Sequence, residues 1–464
     1  MGPVLEANGI SVVIMFASLV FIILMITKAK INPVYAMLVG AITAGVLFGL
    51  PLEGAQGVLQ TVIGGFGTTI GNIGIVILLG CTIGVILEDT GGAIVLANTI
   101  LKAVGQKRAA LAMMISGYLI SIPVFSDTAI VILTPVARTV TRRSGVPLIA
   151  TLGALNAGIM ATHTIVPPTP GPLAAAGTLG ADLGIMIALG MIVALVYGIF
   201  ALVYVSSPFC TKRFPNTKGE EDTDDDDESD AQLGDDLTIK SDKKLPGAGM
   251  TFACLLVPLA LICINSFGRL AMPDYHPMLP IMGFIGHPIM ALGVGVLMCF
   301  LLDTSRFNKE QVSQWFAKTV DTSAFIILAT GTAGAYGFIL RASGVGEFMG
   351  QAIAGTALPA VFIPFFVTVL LVLSNGSATV SLVTGSAIMF PLMPYLGLHP
   401  VIIALALSAG ASFFYHVNAS HYWVVVKSAK LSMREGFFNV SGGTAIGSIG
   451  AMIAVLILSL FVHP

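Results

Sequence analysis

Asp127, His163 and His416 are the ionisable residues whose placement could do chemistry in this chain. Asp127 is the only carboxylate between Asp89 and Asp182. It stands in Ile122-Pro123-Val124-Phe125-Ser126-Asp127-Thr128, a helix-breaking stretch with apolar runs on both sides. An ionisable group at membrane depth is costly and marks a substrate or proton path; the alternative is an Asp that caps the helix after it. His163 lies in Thr162-His163-Thr164-Ile165-Val166-Pro167-Pro168-Thr169-Pro170-Gly171-Pro172, at the end of the small and apolar run 146–161. A histidine changes charge near pH 6.5 in its unperturbed state, so Asp127 is the expected proton carrier, with His163 as a substrate donor or second proton site. The alternative for His163 and His416 is structural, each holding a broken helix by bonding a freed carbonyl.

These residues must be positioned by a membrane protein. Of 464 residues 56% are hydrophobic and 10% charged, with a mean hydropathy of +0.94, whereas a soluble domain carries about a quarter charged residues. Hydrophobic spans run from the first dozen residues to the last, and the first lacks a cationic leader and cleavage site, so it reads as a retained helix. The five cysteines, Cys81, Cys210, Cys254, Cys263 and Cys299, have no ligand spacing and read as buried hydrophobes. A net charge of -2 says nothing about partners, because half of the 24 acidic residues fall in 214–246; no nucleic-acid partner is expected. That segment reads as a solvated, disordered cytoplasmic linker between a first membrane repeat, 1–213, and a second, 247–464.

The first half reads as spans at 10–26 and 33–50, a Gly-rich intervening stretch at 54–74, a span at 75–87 and a short surface helix at 91–104. Basic residues face the cytoplasm. Lys107 and Arg108 precede the apolar stretch 109–136, and Arg138, Arg142 and Arg143 follow it. The stretch is shorter than the about 40 residues that two crossings need, so it reads as a re-entrant hairpin with Asp127 at its tip. Four prolines make the span 147–178 a broken helix, and unwound backbone at that depth survives only inside protein or beside a watery cavity. The span 183–204 returns to Lys212 and Arg213.

After the linker the pattern restarts with spans at 249–267, 286–302 and 325–340. At one constant offset Gly84 falls on Gly337, Ile86 on Ile339, Leu87 on Leu340, Thr90 on Ser343, Gly91 on Gly344, Pro147 on Pro400 and His163 on His416. This is an internal repeat. A local gap sets Ser126-Asp127-Thr128-Ala129 over Asn375-Gly376-Ser377-Ala378, the tip of a second hairpin at 358–395. Lys427, Lys430 and Arg434 follow the second broken span. The expected fold is an all-α polytopic membrane protein of two inverted repeats, each with five crossings and one re-entrant hairpin, and with both termini extracytoplasmic. Inverted repeats whose broken helices meet at the midplane characterise secondary transporters.

Hairpin tips suit a carboxylate cargo because unpaired amides at helix N-termini point at the anion. Ser126, Thr128, Asn375, Gly376, Ser377 and Thr379 let an anion approach that backbone, and Asn156, Thr162, Thr164, Thr169, Asn418 and Ser420 offer groups for the hydroxyls of a polyol acid, beside His163 and His416. No Lys or Arg lies in either break or tip, which fits weak, reversible binding. His421, Tyr422 and Trp423 read as packing or an interfacial belt.

The segments Thr162 to Pro172, Asn375-Gly376-Ser377-Ala378-Thr379-Val380 and His416-Val417-Asn418, with Tyr422-Trp423 after it, resemble motifs of the gluconate:proton symporter (GntP) family. The resemblance covers nearly the whole chain outside the linker. It implies a proton-coupled carrier for small organic anions such as gluconate and related sugar acids, with a branch that takes D-serine, in the cytoplasmic membrane of a prokaryote. It also implies a transport domain moving against a dimeric scaffold, hence a homodimer, and no cofactor beyond the proton gradient. Thr169 stands where the family usually has a second histidine, Ala419 where it has an aspartate, and Ser126-Asp127 where gluconate carriers show Phe-Glu. Two other classes stay open. A sodium-coupled carrier of this fold would use backbone carbonyls and Asn or Ser oxygens at the breaks. An intramembrane enzyme would pair Asp127 with His163 or Ser126, but no Gly-x-Ser-x-Gly or His-Glu-x-x-His motif is present.

Overall fold

Helix breakers and caps set the element boundaries. In the computed structural model, residues 9–104, 108–122, 124–214, 245–272, 276–302, 309–346 and 359–463 are described, and they form helices and connecting turns without a strand. Pro123, Lys107, Arg306 and the acidic run of the linker lie outside the described residues. The first half comprises α1 (Gly9–Thr27), α2 (Pro33–Leu47), α3 (Val58–Asp89), α4 (Gly92–Val104), α5 (Ala109–Ile120), α6 (Ser126–Ser144), α7 (Leu148–Ile165), α8 (Pro170–Leu179) and α9 (Leu183–Val205). Asn32 caps α2, its side chain accepting from the Val34 amide at 3.0 Å, with Pro33 as the first helical residue. Asp182 caps α9 in the same way through the Ile185 amide at 2.9 Å.

The second half comprises α10 (Ala248–Ala271), α11 (Leu279–Ile285), α12 (Pro288–Cys299), α13 (Lys309–Ala342), α14 (Phe362–Asn375), α15 (Ala378–Met389), α16 (Pro400–Ala411), α17 (Ser420–Ser428) and α18 (Gly443–Ser459), the last entered through a π-helical turn, Phe437–Gly442. A long helix, a helix–break–helix hairpin, a broken helix and a closing helix therefore occur twice in the same order. Seven of the described helices are long and apolar enough to cross a membrane, or eight with the pair α11 and α12, bent by 53°, taken as one span. Ten crossings require in addition the 15-residue α2 and the broken pair α16 and α17.

The stretch 54–74 departs from the expectation of an interruption. Its glycines from residue 58 onward are inside α3, a continuous helix of 32 residues. Glycine is tolerated in membrane helices where neighbours pack closely, and α3 lies against its long counterpart α13. One end of that pair is latched: Asp89 accepts from the Trp315 indole at 2.7 Å and the Gln311 amide at 3.1 Å, and Lys318 pairs with Glu88 at 3.0 Å. The expected surface helix, α4, buries one face through Ala93, Leu96 and Ala97.

The broken helix is the centre of the molecule. The most apolar window of α7 and α8 is 94% buried inside the protein, against 28% for α1. Each broken helix is pressed on the first arm of its hairpin at a glycine. A Cβ on Gly158 would come 2.0 Å from the Met114 carbonyl of α5, and one on Gly410 would come 2.2 Å from the Phe365 carbonyl of α14. Hydroxyls tie the same contacts, Thr162 donating to the Tyr118 carbonyl at 2.9 Å and Thr368 to the Leu407 carbonyl at 2.7 Å.

Candidate functional site

Where a helix unwinds inside a bilayer, its freed backbone groups need partners. In the second break, between α16 and α17, the closing helix and its π turn supply them. The Ser441 hydroxyl donates to the Tyr415 carbonyl at 2.5 Å, and the Thr444 hydroxyl accepts from the Tyr415 amide at 3.0 Å. The Trp423 indole donates to the Val417 carbonyl at 2.8 Å. In the first break the Thr169 hydroxyl donates to the Val166 carbonyl at 2.5 Å.

The hairpin tips are organised by the same economy. Asn375 accepts from the Ser377 amide at 2.7 Å, and Ser377 caps α15 by accepting from the Val380 amide at 3.4 Å. Gly376, at φ 71°, ends α14 in the left-handed region that favours glycine. Asn418 of the second break donates to the Leu373 carbonyl at 2.9 Å, so tip and break are tied together.

Both tips and both broken helices meet around a cavity of about 190 Å³. Phe125, Ser126 and Asp127 come from the first tip, and 376–379 from the second. Met160 and His163 come from α7, and Tyr415, Ser420 and His421 from the second break. Three helices of this wall open at it: α6 begins with Ser126-Asp127, α15 with Ala378-Thr379 and α17 with Ser420-His421. The positive ends of their dipoles make the wall receptive to an anion.

His421 is the hub of the polar contacts. Its Nδ1 lies 2.9 Å from Asp127 Oδ1 and its Nε2 lies 2.8 Å from Asn156 Oδ1. The His421 side chain is 5% exposed and that of Asp127 50%, so the carboxylate reaches open space while the ring does not. His163 also faces the cavity, and its buried Nδ1 has no hydrogen-bond partner among the described residues.

Of the residues expected at the site, Ser126, Asp127, His163, Gly376, Ser377, Thr379 and Ser420 line this cavity, and Asn156 reaches it through His421. Thr128, Thr162, Thr164, Asn375, Asn418 and His416 lie outside its lining. Thr162 and Thr164 are buried with their hydroxyls on backbone carbonyls, Thr164 on that of Met160 at 2.7 Å. Thr169 borders a smaller void beside His163, with Gly80 and Cys81. His416 packs against Phe414, ring centroids 6.0 Å apart. The second helix unwinds at Ser412, before His416, whereas α7 stays wound through His163; equal offset thus gives unequal places.

The sequence leaves His421 as packing or an interfacial belt and does not single out Tyr415. A usable signal was present: Ser420-His421 opens a helix after a break, as Ser126-Asp127 does at the hairpin tip.

The model of the GntP family permeases matches residues 10–461. An uncharacterized permease of Haemophilus influenzae is 34% identical over 451 residues, covering 95% of this chain and 90% of that one. A gluconate permease of Pseudomonas aeruginosa is 31% identical over 447 residues, covering 96% of each chain. Among solved structures, the YdaH transporter of Alcanivorax borkumensis matches 97% of this chain and 98% of its own, with a TM-score of 0.65 at 15% identity. That likeness is one of fold.

Proposed function

The chain belongs to the GntP permease family, and from that membership we propose that it is a secondary carrier moving a small hydroxylated monocarboxylate together with protons across the prokaryotic inner membrane. The observation that carries this reading is the cavity at which both hairpin tips and both broken helices meet, with three helix N-termini opening on it. Amide dipoles attract the carboxylate without a fixed countercharge, and the hydroxyls of Ser126, Ser377, Thr379 and Ser420 suit a polyol tail.

Alternating access follows if the two element sets are inverted with respect to the membrane, each hairpin entering from its own face. Asp127 is the proton carrier in this reading, because it is the carboxylate in the cavity wall and half its side chain is open. Gluconate is the first cargo to test, since the Pseudomonas aeruginosa relative is a gluconate permease.

The test is uptake of labelled gluconate, a shorter sugar acid and D-serine into proteoliposomes under an inward proton gradient, with and without sodium. Proton-driven accumulation of one of these acids supports the reading. Accumulation that follows sodium alone replaces the coupling ion and leaves the carrier class standing.

A further inference from the structure

Both ring nitrogens of His421 are engaged in the cavity wall, Nδ1 by Asp127 Oδ1 at 2.9 Å and Nε2 by the Asn156 side-chain amide at 2.8 Å. A neutral imidazole donates through one nitrogen and accepts through the other; only the imidazolium donates through both. Nδ1 faces a carboxylate, which only accepts, so it is the donor of that bond, while Nε2 is held by the side-chain amide of Asn156. The ring belongs to α17 in the second half of the chain, whereas both partners belong to the first. Building on the carrier reading above, we propose that His421 is the carboxylate receptor of the cavity and that the cargo takes it over from Asp127.

Charge balance gives the sequence of events. In the unladen cavity the Asp127 carboxylate answers His421 and the three helix N-termini. An arriving carboxylate finds the same donors, and two carboxylates cannot share that space while both are ionised. The cargo accepts the Nδ1–H hydrogen bond, the bond from Nδ1 to Asp127 Oδ1 breaks, and one proton from the water on the side of entry goes to the Asp127 carboxylate. No covalent bond of the cargo changes. Release on the far side runs in reverse: the proton leaves Asp127 to water, and the carboxylate returns to His421. Each laden cycle carries one proton with one monocarboxylate.

The groups around His421 fit this exchange. Asp127 is half exposed, so it can take up a proton from the cavity. His163 faces the same space, and the Tyr415 ring stands edge-on to His421 at 6.2 Å. Arg138, from α6, bonds the Ser428 carbonyl at the far end of α17. Lys427 lies near that same end, and Glu435, beside Arg434, is held by Ser432 at 2.7 Å.

The experiment is calorimetric titration of the purified protein with gluconate at pH 7 in two buffers of different ionisation heat, which counts protons taken up on binding. Wild type is expected to take up about one proton per gluconate. Asp127→Asn should still bind but take up none, and His421→Ala should bind about 100-fold more weakly or not at all. Wild type that binds gluconate without proton uptake, or His421→Ala that binds as tightly as wild type, overturns the exchange and leaves the carrier reading intact. If His421→Ala does not fold, the wild-type proton count decides alone. Wild type that binds none of gluconate, a shorter sugar acid and D-serine overturns the carrier reading and the exchange with it.

Discussion

Gly376 stands so close to the Asn418 carbonyl that a Cβ added to it would lie 2.4 Å from that oxygen. The second hairpin tip is thus seated directly on the second helix break, at a left-handed backbone position.

Gly376→Ala should disable transport. The substitution adds left-handed strain of about 1–2 kcal/mol and must also push tip and break apart. Uptake in proteoliposomes is expected to fall about ten-fold or more while the protein stays monodisperse. Wild-type uptake by the variant would show that this seat is not required.

Gly158→Val should prevent folding rather than transport. Its side chain would displace the Met114 carbonyl, already 2.0 Å from an ideal Cβ, and overpacking a buried helix contact costs about 1–3 kcal/mol or more. Gly64→Ala is the control, since nothing lies within 4 Å of that position. Size-exclusion profiles should separate the two, with the first aggregated and the second unchanged.

Asp127→Asn should abolish concentration of cargo by a proton gradient and spare exchange of external label for preloaded cargo. Both are read in one set of vesicles. A variant that still accumulates cargo against its gradient would reduce Asp127 to an acidic residue of the first turn of α6, where it favours the helix dipole.

Ser441→Ala removes the hydroxyl donated to the Tyr415 carbonyl, leaving that oxygen buried without the bond. The loss is expected to be about 1–3 kcal/mol, read as a lowered thermal midpoint. Ser459→Ala, whose hydroxyl bonds only the Leu456 carbonyl of its own helix, should leave the midpoint unchanged.

Much of the architecture was legible because helix breakers and charges act locally. Pro167, Pro168, Pro170 and Pro172 locate the first break, and Arg138 and Arg142 mark the end of the hairpin from which it follows. The Gly-rich start of α3 was not legible, because glycine's low helix propensity is outweighed by close packing on α13, a contact remote in sequence. At the site, the repeat drew attention to His416 as the counterpart of His163. A shift of about two turns in where the two helices unwind turned one histidine into the cavity and left the other beside Phe414. His421 was obscured by its neighbours, since a histidine next to Tyr422 and Trp423 looks like part of an aromatic cluster. Only the fold brings Asp127 and Asn156 to it.

The Asp127–His421 pair also bears on the electrical behaviour of the carrier. The cargo carboxylate and the proton that Asp127 takes up in the proposed exchange are opposite charges at one place, and a transmembrane voltage acts only on unmatched charge, with about 2.3 kcal/mol per charge at 100 mV. In the proposed exchange cargo and proton cross together, so a complete cycle moves no net charge. A potassium diffusion potential should drive no accumulation of cargo, and an electrode under a supported membrane should record no steady current while cargo moves.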